Sequence, residues 1–261
     1  MKVLKVAFLS FLLLMFPVFV FATANHTITT DQDFGDWASD ELIQTDDTTG
    51  AKLYVTWDST NLYVAVEGFD ISTNSGNNYT VHIAIHKQTN AGIGRSDVAW
   101  GTDGGDNIFQ WFLGSSDGSE NWNPQRDFLL DPKSINDVPW LNMQVGYASG
   151  NWADYGWFNA TGDYKLTQNG FEFAIPWKKV DSAYPGPWFH LVVVIYNRAG
   201  SVDLTFPKEN PKGTPAGGGK LAMRYCFAFA STNDGDAPNS CTVVENPVPT
   251  SVENSIYELF Y

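Results

Sequence analysis

The sequence predicts an all-β protein, built as an antiparallel two-sheet β-sandwich. Apolar and polar residues alternate in many short runs, such as "KLYVTW", "YTVHIAIH" and "FHLVVVIY", and a period of two is typical of half-buried strands. Turn-forming stretches such as "NSGNN" and "GTDGGDN" separate these runs at intervals of roughly ten residues. Because no helical periodicity stands between the runs, two packed antiparallel sheets are the favoured architecture.

The 261-residue chain opens with two lysines and an apolar run that ends in the small residues "ATA". This pattern predicts a secretory signal peptide over residues 1–24, so the protein is expected to be secreted, either extracellular or at the cell surface. A transmembrane anchor is the alternative, although the run is short for a bilayer span. We expect the β-sandwich domain over residues 25–244 and a linker or tail over residues 245–261. No membrane span is expected in the mature chain.

The formal net charge is −14, and 15% of the residues are aromatic. So acidic a chain repels phosphate backbones, which excludes nucleic acid as an expected partner and suits calcium and neutral substrates. Two cysteines in a secreted chain permit one disulfide. We expect Cys226 to pair with Cys241, and two free buried thiols are the alternative.

The first hairpin is predicted over residues 51–69, where the turn formers "DSTN" separate two alternating runs. Its apolar positions share one face and are expected in the core: Leu53, Val55, Trp57, Leu62, Val64 and Val66.

A later strand, "GFEFAIPWKKV" at residues 170–180, raises the question of what Trp177 does. Phe171, Phe173 and Ile175 are expected to face the core, and Glu172 to face away from it. Pro176 lacks a backbone donor, so the strand ends there or lies at an edge. Trp177 is expected to fill one end of the core, and a platform for a ligand is the alternative.

Three segments together resemble the family 9 carbohydrate-binding modules and the wider DOMON-like group. They are "DQDFGDWASDE" at residues 31–41, "KLYVTWDSTNLYVAVEGFD" at residues 52–70, and the strand at residues 170–180. Their order matches that of the group, and the resemblance covers roughly residues 31–230. It implies a two-sheet antiparallel sandwich that often binds calcium.

The resemblance implies calcium as a cofactor, with ligands at the positions that match Asp70, Asn74 and Asn78. A loop of Asp, Asn, Ser and Gly can wrap this ion with carboxylate, amide and backbone oxygens. A solvated loop without an ion is the alternative.

The tryptophans that hold a sugar in those modules have no counterpart here, because the matching stretches "NSGNNYTVHIAIHK" and "FPKENPKGTPAGGGK" contain none. A glycan site is therefore predicted in the segment 114–160, where aromatic residues stand among Asn, Asp and Gly in loops. Flat rings match the apolar faces of sugars, and polar groups match their hydroxyls. The alternative is that the rings cover the ends of the sandwich. The predicted site residues are Trp122, Asn123, Arg126, Trp152, Tyr155 and Trp157.

The sequence lacks G-x-S-x-G, H-E-x-x-H and phosphate-loop motifs, so the chain is not expected to be an enzyme. His82 and His86 are about 13 Å apart on a predicted strand, too far to share a metal ion, and are expected on a solvated face. Haem binding, known among DOMON relatives, finds no convincing pair of axial ligands.

These observations predict a secreted, non-catalytic carbohydrate-binding module, stabilised by calcium, whose partner is a polysaccharide or another glycan. The alternative is a structural or adhesive cell-surface protein that binds proteins of the cell envelope.

Overall fold

The computed structural model describes residues 27–31, 33–71, 79–86, 108–111, 126–131, 140–146, 152–157, 164–167, 169–180, 189–197, 199–229 and 238–245. The predicted signal peptide and C-terminal tail lie outside this part of the chain and stay predictions. The strands are β1 (Leu42–Thr45), β2 (Lys52–Trp57), β3 (Asn61–Glu67), β4 (Tyr79–His86), β5 (Phe109–Trp111), β6 (Arg126–Asp131), β7 (Trp140–Gly146), β8 (Trp152–Trp157), β9 (Tyr164–Thr167), β10 (Gly170–Pro176), β11 (Phe189–Asn197), β12 (Ser201–Phe206), β13 (Leu221–Met223), β14 (Tyr225–Phe229) and β15 (Thr242–Glu245). One short helix, α1 (Trp177–Val180), follows β10.

Two antiparallel sheets form the sandwich, which confirms the predicted fold class. The five-stranded sheet has the order β1-β2-β3-β10-β9, and the eight-stranded sheet has the order β15-β14-β11-β4-β6-β7-β8. In the latter, β12 also pairs with β11, along the residues that β14 leaves unpaired. A third, smaller sheet joins β13 to β5 in parallel, which the sequence did not predict.

The central core lies between the two large sheets, where alternate residues of each strand meet. Both strands of the predicted hairpin bury the apolar face that their alternation indicates, and β10 buries Phe171, Phe173 and Ile175. The eight-stranded sheet contributes the alternating Val81, Ile83 and Ile85 of β4 and matching residues of its neighbours. A period of two is therefore enough to identify the residues of the core.

Trp177 fills one end of this core, as predicted. Strand β10 ends at Pro176, and Trp177 begins α1 with its side chain only 2% exposed. Its ring meets Phe189 edge to face, with 5.6 Å between centroids, and its indole N–H donates to the Asp58 carbonyl at 2.9 Å. A buried indole normally needs such an acceptor.

Part of the outer face of each sheet is covered as well. An N-terminal segment, residues 27–41, covers the five-stranded sheet, where Ile28 and Trp37 pack with Tyr63 and Ala65. The β5–β13 pair covers part of the eight-stranded sheet and forms a second apolar cluster there, called the outer cluster below: Ala84, Phe109, Trp111, Val192, Val194, Tyr196, Val202, Met223 and Cys226. The two sheets of the sandwich are thus packed against each other on their inner faces and against further segments on part of their outer faces.

Candidate functional site

Glu172 joins two of the segments that carry the family resemblance. It lies on the outer face of the five-stranded sheet, fully buried beneath the N-terminal segment. Its carboxylate accepts a hydrogen bond from the Trp37 indole N–H at 2.8 Å and one from the Asp31 backbone N–H at 3.1 Å. Because a buried polar group requires hydrogen-bond partners, these contacts anchor the N-terminal segment to the sheet.

Asp58 joins the hairpin turn to its surroundings. Its carboxylate accepts hydrogen bonds from the Tyr63 hydroxyl at 2.7 Å, from the Thr27 hydroxyl at 2.9 Å and from the backbone N–H groups of the turn. Burial by itself raises the pKa of Asp58, but the Tyr63 hydroxyl and the turn donors outweigh it and lower the pKa below its ordinary value. The Asp58 carbonyl also accepts a hydrogen bond from the Trp177 indole N–H. These hydrogen bonds give Asp58 a structural role, because they connect the hairpin turn to Trp177 and to the N-terminal segment.

The part of the predicted glycan site that the structure describes lies on β6, β7 and β8, at one side of the eight-stranded sheet. Trp152, Tyr155 and Trp157 all belong to β8, the last strand of the described sheet on that side. They were expected in a loop. The segment pairs with β7 instead, and a strand holds its residues in a fixed register that a loop does not impose.

An irregularity in the β7–β8 register sets the phase of these residues. Trp152 pairs with Gly146 and Asp154 with Gln144, whereas Trp157 pairs with Asn142. From Gln144 to Asn142, β7 advances by two residues while β8 advances by three, so β8 contains one extra residue. In a regular strand, successive residues alternate between the two faces of the sheet. Positions 152 and 157 are five residues apart, so a regular strand would place them on opposite faces. The bulge brings both tryptophans opposite alternate residues of β7, which share one face.

The same rows extend into β6. Asp127 pairs with Gln144, which pairs with Asp154, so one row of the sheet carries three polar residues between the rows of Trp152 and Trp157. Arg126 pairs with Val145, in the alternate phase, so the register does not bring it into the tryptophan rows. The register points instead to Asp127, which the sequence reasoning did not select.

Trp140, at the start of β7, is also in phase with these rows. It pairs with Asp131 and precedes Asn142 and Gln144 by two and four residues. The residues around Trp140 have the pattern of a loop. Only the pairing of β7 with β6 therefore shows which face of the sheet Trp140 belongs to. The other predicted residues, Trp122 and Asn123, lie outside the described residues.

Of the predicted calcium ligands, the structure describes Asp70, which is half-buried two residues after Gly68. Asn74 and Asn78 lie outside the described residues. Within the described residues, no group of three or more His, Cys, Asp or Glu side chains is placed to hold a metal ion. The calcium site therefore rests on Asp70 and on the family resemblance, and it stays a prediction.

The two cysteines are free thiols in the structure, so it gives the predicted bridge no support. Cys226 pairs with Val244, three residues beyond Cys241, which corresponds to about 10 Å along a strand. A disulfide needs its two Cα atoms within about 7 Å. Cys226 also packs into the outer cluster and Cys241 against the central core, on the two faces of the eight-stranded sheet. Burial raises the pKa of each thiol to about 12.

The histidines of β4 are not on a solvated face, which corrects the expectation from the sequence. His82 is fully buried and His86 is 3% exposed. The reason is the outer cover: the rings of Phe109 and Tyr196 lie 5.2 and 5.8 Å from the ring of His82, measured between centroids. The alternating pattern of β4 does not predict that β5 and β13 pack over it, because these strands come from distant parts of the chain.

His86 has a histidine neighbour that the sequence analysis did not find. His190 of β11 pairs directly with His86, and the two ring centroids are 6.1 Å apart with 32° between the ring planes. His190 is half-buried. Burial, assisted by the nearby His86, lowers the pKa of His190 to about 3, so this imidazole is neutral at pH 7. Only pairing between β4 and β11 reveals the contact, since the two residues are far apart in sequence.

Asp46 anchors the turn after β1 to the loop after β12. It is 1% exposed and forms an ion pair with Lys212 and hydrogen bonds with the backbone and hydroxyl of Thr49. Burial by itself raises the pKa of Asp46, but Lys212 and Thr49 lower it below its ordinary value. Like Asp58, this carboxylate is engaged in holding loops together.

The described residues contain no helix that is long and apolar enough to cross a membrane.

Comparison with protein-family models finds no family that matches the chain. Neither a curated protein nor a solved structure matches it.

Proposed function

We propose that this protein is a secreted, non-catalytic module that binds a polysaccharide or glycan along β7 and β8. The observation that carries the proposal is the bulge in β8, which brings Trp152 and Trp157 into the same phase opposite β7. Bulges are recurrent devices for re-aiming residues at functional edges of sheets. Aromatic residues in one phase of the last strand of the described sheet match the need of a sugar chain for a stacking surface.

The spacing and polarity of the rows suit an extended ligand. Their β7 partners, Gly146 and Asn142, are four residues apart, so the two tryptophan rows are separated by about 13 Å. The row between them contains Asp127, Gln144 and Asp154. Sugars present apolar faces and hydroxyl rims, so aromatic rows on either side of a polar row match several linked units better than a single terminal sugar.

The family resemblance supports the same class of function, and it extends the proposal to calcium as a stabilising ion. A protein partner is the alternative.

The proposal is tested with the mature chain, residues 25–261, on an array of polysaccharides and oligosaccharides. Trp152→Ala and Trp157→Ala are each expected to weaken binding of the best glycan by about thirtyfold or more, since loss of an aromatic anchor costs about 2 kcal/mol or more. Circular dichroism checks that each variant folds.

Asp127→Ala and Arg126→Ala form a matched pair that tests the phase. Both residues lie on β6, but Asp127 shares a row with Asp154 and Arg126 does not. We expect Asp127→Ala to reduce affinity and Arg126→Ala to leave it near that of the wild type. The reverse result would return the site to the arrangement expected from the sequence. Unchanged binding in both folded tryptophan variants would contradict the proposal.

A further inference from the structure

The contact between His86 and His190 has no part in the proposed glycan site, and it brings a buried and a half-buried imidazole together in the middle of the eight-stranded sheet. The pair sits on β4 and β11, which are adjacent in that sheet. His86 is almost fully enclosed, while His190 retains some exposure. On its other side His190 pairs with Ala228 of β14.

The distance between the rings suits a shared metal ion. An imidazole nitrogen binds Zn²⁺ at about 2.0–2.1 Å, which places the ring centroid about 3.2 Å from the ion. Two imidazoles on one ion then have centroids about 5.2 Å apart at a tetrahedral angle and about 6.4 Å apart when the ion lies in line between them. The observed 6.1 Å lies between these two distances, nearer to the linear arrangement. Directly opposed residues on antiparallel strands also hold their side chains close without any rearrangement of the backbone.

We propose that His86 and His190 form a binding site for a divalent transition-metal ion of the kind that imidazole favours, with Zn²⁺ and Cu²⁺ as its representatives. The two histidines supply two ligands, and water completes the coordination on the side where His190 is exposed. The bound ion links β4 to β11 and stabilises the folded sheet. This site is distinct from the predicted calcium site, because hard cations prefer oxygen ligands and imidazole selects softer ions.

The position of the pair couples metal binding to folding. The ion would bind the folded chain and not the unfolded one, because residues 86 and 190 meet only through the pairing of β4 with β11. Binding should therefore raise the stability of the fold by mass action.

The experiment uses the mature chain without a histidine tag, first freed of metal with a chelator. Its thermal unfolding is followed with and without added ZnCl₂, and the expected result is a rise in Tm of about 5 °C when Zn²⁺ is in large excess over its Kd. Stoichiometric Cu²⁺ is then added, and pulsed electron paramagnetic resonance counts the imidazoles on the ion. Two imidazoles are expected.

The controls address the other histidines. His26 lies next to the predicted new N-terminus, and an N-terminal amine followed by histidine could itself bind Cu²⁺. The count is therefore made in the His26→Gln background, where two imidazoles should remain. His86→Gln and His190→Gln should each reduce the count and remove the Zn²⁺ effect on Tm, whereas His82→Gln, equally buried on the same strand, should change neither. If a variant fails to fold, the count in the His26→Gln background decides. Fewer than two imidazoles there, or no bound copper, would overturn the proposal.

Discussion

Replacement of Trp177 tests whether this residue belongs to the core or to a binding surface. Trp177→Ala removes a side chain that is 2% exposed, together with its edge-to-face contact with Phe189. Deletion of a buried tryptophan costs about 3–5 kcal/mol, and loss of the hydrogen bond to the Asp58 carbonyl adds up to about 1 kcal/mol. We expect the free energy of unfolding to fall by about 4 kcal/mol.

Urea denaturation, followed by circular dichroism, measures this loss. With an m-value of about 2–3 kcal/mol per molar urea for a domain of this size, the midpoint should fall by about 1.5 M. Trp177→Phe is the matched control: it keeps an aromatic ring beside Phe189 but removes the donor to Asp58, so its cost should be about 1–2 kcal/mol. A Trp177→Ala variant that keeps wild-type stability but loses glycan binding would refute the assignment of Trp177 to the core.

Four further outcomes can be tested, the first three of which follow from the described contacts. In the native protein, Cys226 and Cys241 should be recovered as two free thiols that react slowly with iodoacetamide at pH 8, since both pKa values are about 12; a mass two hydrogens lower would show the disulfide instead. Trp37→Phe should cost about 1–3 kcal/mol in a urea titration, because the buried carboxyl of Glu172 loses a hydrogen-bond donor, and an unchanged midpoint would show that this hydrogen bond does not contribute to stability. Asp46→Asn should lower stability at neutral pH, and the difference from wild type should shrink as the pH falls below about 3.8, because the unfolded carboxyl of the wild type takes up a proton there while the folded one, with its lower pKa, is still ionised; a difference that is constant with pH would contradict this. Removal of calcium with a chelator should lower the Tm if the ion site is present, and an unchanged Tm would exclude it.

The proposed glycan site and the proposed metal site lie on different strands of the same sheet. Trp152 and Trp157 lie on β8, at its described end, whereas His86 and His190 lie on β4 and β11, near its middle. Loss of glycan binding in the tryptophan variants should leave the copper signal intact, and the histidine variants should keep their affinity for glycan if they fold. Each site can therefore fail without the other.

Local alternation was sufficient to predict the strands that build the central core. In the hairpin over residues 51–69 and in β10, every second residue is apolar, and these residues are the ones that meet between the sheets. The end of β10 was also predictable, because Pro176 cannot continue the hydrogen bonding of a strand. These features depend only on residues that are close together in the sequence, so the sequence alone is enough to predict them.

Pairing between distant segments decided the rest. β5 and β13 are separated by about one hundred residues, yet their contact buries His82 and the outer face of β4. The β6–β7 and β7–β8 registers, the latter with an extra residue in β8, determine that Trp152 and Asp127 are in one phase and Arg126 is in the other. An alternating strand has the same pattern whether water or another strand covers its polar face. The cover, the phase of the tryptophans and the meeting of His86 with His190 therefore arise only when the strands pair, because each depends on a partner that local sequence does not specify.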